Sequence, residues 1–138
     1  ASDMYKACVG PNSLQFSQAL FYSGVIYLEA RDLETALECL EECLLIRRRA
    51  AGDDNNKDFS TNSADNADTL QYIGRVYSEM GNSAEAMKYF KASLWAKESI
   101  LGKDHLEVAA SYFDMGNLFL FKKKDFGAAV QFYQKSIV

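Results

Sequence analysis

Cys39 and Cys43 lie one helical turn apart, a spacing with which two thiolates can hold one side of a tetrahedral metal ion. Such a site needs more ligands, and neither Cys8 nor His105, the only other cysteine and the only histidine, lies near them in sequence. The pair therefore reads as small apolar groups on a buried helix face. His105 could exchange protons near neutral pH, yet no serine or cysteine pattern can be placed beside it as a catalytic partner. No catalytic residue, metal site or cofactor is assigned, and the chain is expected not to be an enzyme. Two basic runs, Arg47 to Arg49 and Lys122 to Lys124, close helices, where cations complement exposed carbonyls. A phosphate or an acidic protein surface is the alternative contact for them.

The elements that must position these groups show in the glycines. Gly24, Gly74 and Gly116 are each followed three residues on by an aromatic, at Tyr27, Tyr77 and Phe119. A second landmark follows at nearly constant distance: Ala36 before Leu40, Ala86 before Phe90, Ala129 before Tyr133. The last of these is displaced by one residue, in the Lys122–Lys124 run, so that turn should be distorted. Gly10, Gly52 and Gly102 occupy an earlier phase, and their one discordant spacing locates an eight-residue insertion within 52–63. Periodicity and caps predict first helices over 13–30, 64–80 and 105–122, and second helices over 33–50, 83–101 and 126–138. Asp32, Asn82 and Asp125 stand where a short polar side chain caps a second helix, and Asn82 with Glu85 and Asp104 with Glu107 have capping-box spacing. Within each hairpin, glycine on one helix and alanine on the other permit close approach while larger residues fill the flanks. Trp95 shares a phase with Leu45 and Val138 and is expected to pack against a neighbouring hairpin.

These landmarks resemble the tetratricopeptide repeat, whose signature is W-x-x-L-G-x-x-Y, then A-x-x-x-F, then P. The tryptophan place is taken by Leu20, Leu70 and Tyr112, the following leucine by Ser23, Ile73 and Met115, and no closing proline occurs. The repeats are longer than the common form, which is similar to the subclass found in kinesin light chains. The most similar stretch is LGKDHLEVAASYFDMGNLF, 101–119, with Leu101, Gly102, Asp104, His105, Val108 and Ala109 at the family's places. Leu106 stands where that subclass prefers proline, and Tyr72 and Asp114 where it favours asparagine. The resemblance implies an all-α fold, a right-handed α-α superhelix of about three helix-turn-helix hairpins. The repeats would span 13–51, 64–102 and 105–138, with 1–10 the tail of a preceding helix and 52–63 an inserted loop. Because neither end carries a polar capping repeat, an excerpt of a longer array is expected.

The 138 residues are enough for one repeat domain, and 49% hydrophobic with 25% charged residues is ordinary globular composition. A formal net charge of −4 disfavours nonspecific nucleic-acid binding, which needs a basic surface, and a helical-repeat RNA reader is disfavoured for the same reason. No apolar run approaches a membrane span and residues 1–10 do not read as a signal peptide, so no membrane insertion and a cytoplasmic location are expected. Function then falls to the concave face of the first helices. Counting about 100° per residue from each glycine, the groove face carries Gln18, Phe21, Val25 and Glu29 bordered by Tyr22, then Asp68, Gln71, Arg75 and Glu79 bordered by Tyr72. The third repeat adds Ala110, Phe113, Asn117 and Phe121, bordered by Asp114 and Leu120. Aromatic ends and a polar centre suit a peptide or partner-protein segment with apolar anchors; for Phe21, Phe113 and Phe121 the other role is packing between first helices. Arg75 is the only groove cation against Glu29, Asp68, Glu79 and Asp114, which favours an apolar or basic peptide over an acidic tail. The expected function is a noncatalytic protein-interaction scaffold; a kinesin-light-chain-like cargo adaptor or a regulatory repeat region of a larger protein is the alternative. Apolar residues at the ends, Met4, Cys8, Val9, Ile137 and Val138, further predict end-to-end self-association.

Overall fold

The computed structural model of the chain describes residues 13–50, 64–102 and 105–137. The expectations for 1–10 and for the insertion at 52–63 lie outside the described residues. Among the described residues six α-helices follow in order: α1 (Ser13–Glu29), α2 (Leu33–Ala50), α3 (Ala64–Met80), α4 (Ser83–Leu101), α5 (Leu106–Asn117) and α6 (Phe126–Ser136), with a π-helical turn, Leu118–Lys122, between the last two. No strand occurs among the described residues. The chain divides into two compact units, Ala1–Thr61 holding the α1–α2 hairpin and Asn62–Val138 holding the α3–α4 and α5–α6 hairpins.

Each hairpin closes where a glycine meets the bulky residue of the second landmark. A Cβ built on Gly24 would lie 2.7 Å from Leu40 Cγ, and one on Gly74 or Gly116 would lie 2.8 Å from the Phe90 or Tyr133 ring. The absent side chain is therefore a steric requirement of the crossing, as the spacing implies. In the first unit Leu20, Cys43 and Ile46 are buried together, with Phe16, Phe21 and Cys39 packed against them. In the second, Ala86 and Phe90 of α4 join Met115 and Leu118 of the α5 hairpin, flanked by Tyr77, Met87, Leu94, Tyr112 and Phe132.

The hairpin turns share one backbone solution. The amide of Asp32 donates to the Tyr27 carbonyl and that of Asn82 to the Tyr77 carbonyl, both at 2.9 Å, closing a Schellman motif whose penultimate residue must be left-handed. Gly81 (φ 88°) takes that conformation without a Cβ penalty, but Arg31 (φ 68°) adopts it with one. The third turn carries the extra residue. There the Asp125 amide reaches back six residues, to Phe119, at 2.9 Å, while Lys123 donates to Leu118 at 3.2 Å. The π turn absorbs the insertion inside the helix, and Lys124 (φ 58°) supplies the left-handed residue. The side chains of Asn82 and Asp125 accept from Glu85 and Ala128 amides at 3.3 and 3.2 Å, as expected of caps.

One expectation changes, and one cap is new. α5 is capped by His105, whose Nδ1 accepts from the Glu107 amide at 3.1 Å; the capping box expected of Asp104 and Glu107 falls on Asp104, which lies outside the described residues. Trp95, expected to pack against a neighbouring hairpin, is 51% exposed, so half of its surface stays uncovered. Ser93 and Lys97, the buried edge of α4, each lie about 160° around the helix from Trp95 at 100° per residue, which turns the indole away from the packed side.

Candidate partner-binding site

In the second unit the polar residues of the first-helix face are tied together. Asp114, on α5 and only 6% exposed, accepts from Gln71 Nε2 at 2.5 Å. It also pairs with Arg75: Nε lies 3.3 Å from Oδ2 and Nη2 3.3 Å from Oδ1, a two-point contact. Gln71 Oε1 in turn accepts from Lys97 Nζ, which comes from α4 and lies 3.7 Å from Asp68 Oδ1. Lys97 is 3% exposed. Burial pulls its pKa below the ordinary lysine value, against the opposing pull of Asp68, Glu107 and Asp114. Two cations, two carboxylates and one bridging amide thus form a junction of α3, α4 and α5 whose formal charges cancel.

Beside this junction the surface carries two exposed aromatic rings. Phe113 is 51% exposed and Phe121 62%, with Asn117 between them on the same line of α5 and its π turn. The Tyr133 hydroxyl donates to Asn117 Oδ1 at 2.5 Å, so the amide nitrogen of Asn117 is the atom left to donate outward. Phe113 leans on the Tyr133 ring with centroids 5.4 Å apart. Arg75 lies 5.2 Å from the Tyr72 ring centroid with its side chain 42% exposed, and Glu79 is half-buried further along α3.

The first unit presents a separate set. Phe21 is half-buried and meets the exposed Tyr22 edge-on at 5.6 Å, while Arg47 of α2 lies 5.0 Å above the Phe21 ring. Gln18 and Glu29 are exposed and Val25 is half-buried. Sequence reasoning missed three residues of these arrangements: Lys97, Tyr133 and Arg47 as a partner of Phe21. The signal was present in the repeat itself, because Lys97 follows Arg47 by the same fifty residues that separate Gly74 from Gly24.

His105 is a helix cap, and burial, then Glu42 and Glu38, push the Cys39 thiol up and away from the reactive thiolate. Among the described residues no three His, Cys, Asp or Glu side chains converge to hold a metal ion, and no helix is long and apolar enough to cross a membrane.

Three helical hairpins of one construction among the described residues, with an exposed aromatic and amide line on a first helix, define a helical-repeat protein of the all-α solenoid class. The tetratricopeptide repeat family matches residues 15–98 and again 65–137, and the chain belongs to it. Comparison with curated proteins returns no significant match. Members of the family are generally noncatalytic scaffolds for protein–protein interaction.

Proposed function

We propose that the chain is a noncatalytic scaffold that holds a peptide or partner-protein segment against the first-helix faces of its repeats. The observation that carries this reading is the line Phe113, Asn117, Phe121: two exposed aromatic rings flank an amide whose outward donor is fixed by Tyr133. Phe113 and Phe121 are eight helical residues apart, about 12 Å at the helical rise. An extended chain covers that distance in about four residues. The segment would place apolar side chains at the rings and a backbone carbonyl at Asn117. Phe21, Tyr22 and Val25 offer the first unit a contact surface of its own, with Gln18 and Glu29 at its polar margin.

Within the family, the kinesin-light-chain-like form is the subtype we favour, supported by the 101–119 stretch and by second helices of 18 and 19 residues. A cargo adaptor or a regulatory repeat region is the corresponding setting, in the cytoplasm, with repeats over 13–51, 64–102 and 105–138. End-to-end self-association is proposed with it, supported by the exposed Ile137; light scattering over a concentration series would show a rising mean mass, and a constant monomer mass would remove it. The test of the main reading is Phe113→Ala against peptides selected on the chain from an unbiased library. Binding should fall while the melting temperature holds, since a half-exposed ring contributes little to packing. A stability loss of roughly 3–5 kcal/mol, the range for a buried aromatic, would assign Phe113 to the core instead.

A further inference from the structure

The polar half of the second unit's face has its own carboxylate already in place. Arg75 is the one cation of that face among the described residues, and Asp114 occupies it at two points, 3.3 Å and 3.3 Å. The geometry is the one a ligand carboxylate would adopt on a guanidinium. Asp114 is held there by the Gln71 amide at 2.5 Å, and Gln71 is held by Lys97, whose charge faces Asp68. We infer that Asp114 is a specificity-determining residue: it occupies Arg75 from within, so the face accepts an apolar, uncharged partner segment and rejects one bearing Asp or Glu beside Arg75. This inference rests on the binding reading above and narrows its ligand class.

The argument is one of charge and position. A carboxylate arriving at Arg75 would compete with a buried, hydrogen-bonded Asp114 and would sit next to it, and juxtaposed like charges discriminate strongly between partners. Nothing comparable opposes an apolar segment, which meets Phe113, Phe121 and the Tyr72 ring under Arg75.

The experiment is a parallel selection from one unbiased random peptide library on the wild-type chain and on Asp114→Asn. Fluorescence anisotropy then follows on the recovered peptides and on copies carrying a single central Glu. Wild-type binders should be poor in Asp and Glu, and the added Glu should weaken them by about tenfold or more. Asp114→Asn, which frees the guanidinium, should tolerate the Glu and recover acidic peptides, a gain that Arg75→Gln removes. The inference is overturned if wild-type binders that depend on Phe113 are acidic and lose affinity with Arg75→Gln, or if Asp114→Asn, folded by circular dichroism, discriminates against Glu as the wild type does. Should Asp114→Asn not fold, the composition of the wild-type binders decides alone. Peptides that bind without depending on Phe113 would instead overturn the binding reading itself, and the inference with it.

Discussion

Arg47 in the first unit and Lys97 in the second occupy the same place in their repeats, yet one lies over an aromatic ring and the other is enclosed in a hydrogen-bonded junction. The partner position explains the difference, because Phe21 stands where the second repeat has Gln71. An aromatic face can receive a cation from above, whereas an amide can pass a hydrogen bond onward, here from Lys97 to Asp114 and so to Arg75. The repeat signature specifies how each hairpin closes. What lies beside the closure is left to positions outside the signature, and those positions decide the chemistry of the face.

The largest effect separating the two units should come from removing the cations. Lys97→Ala leaves the Gln71 carbonyl without its donor at a buried site and should cost roughly 1–3 kcal/mol, more than Arg47→Ala, which removes the cation over the Phe21 ring. Urea unfolding of both variants measures this, and equal losses would break the comparison. The glycine contacts sharpen it next. Gly74→Ala drives a methyl into the buried Phe90 ring and Gly24→Ala drives one into buried Leu40 at Cγ, 2.8 and 2.7 Å away. Both should destabilise by about 1–3 kcal/mol, a steric requirement the two units share and thermal melts can read.

A smaller effect of opposite sign is expected at Asn66, which is 1% exposed and has no hydrogen-bond partner for either amide atom among the described residues. Its equivalents are Phe16 in the first repeat and Val108, also 1% exposed, in the third. Asn66→Val should therefore stabilise by about 1–2 kcal/mol, the desolvation cost of an unpaired amide. A destabilised variant would show that the amide has a partner that matters.

The smallest effect is a pH dependence. Because burial lowers the pKa of Lys97, there is a window below the ordinary lysine value in which the unfolded chain binds the proton and the folded one does not. Stability should then rise with pH through that window, and below it the cost of a buried charge is fully present. Lys97→Met should flatten this part of the profile in denaturant midpoints measured toward pH 10; an unchanged slope would place its origin elsewhere.

Much of the fold was legible because the signature is steric. Glycine opposite Leu40, Phe90 or Tyr133 leaves few alternatives, and the predicted helix bounds differ from the observed ones by only a few residues at their ends. The extra residue near Lys122 was visible as a spacing anomaly, but its resolution as a π turn depends on backbone hydrogen bonding that spacing does not specify. The candidate face was legible as a helical stripe, since 100° per residue fixes which side chains share a side. Its internal pairing was not, because Lys97 reaches the stripe from a different helix and meets Asp114 only through Gln71. The His105 cap escaped for a related reason: aspartate at the preceding position offers the commoner cap.

The central claim is that equivalent positions use their cation differently, as a buried hydrogen-bonded junction in the second unit and as a surface ring contact in the first. A pair of double-mutant cycles tests it most directly: Lys97→Met with Gln71→Leu, and Arg47→Met with Phe21→Leu, read by urea unfolding. The account predicts a coupling of about 1–3 kcal/mol for Lys97 with Gln71 and below about 1 kcal/mol for Arg47 with Phe21. A Lys97–Gln71 coupling near zero, or one smaller than that of Arg47 with Phe21, would contradict it.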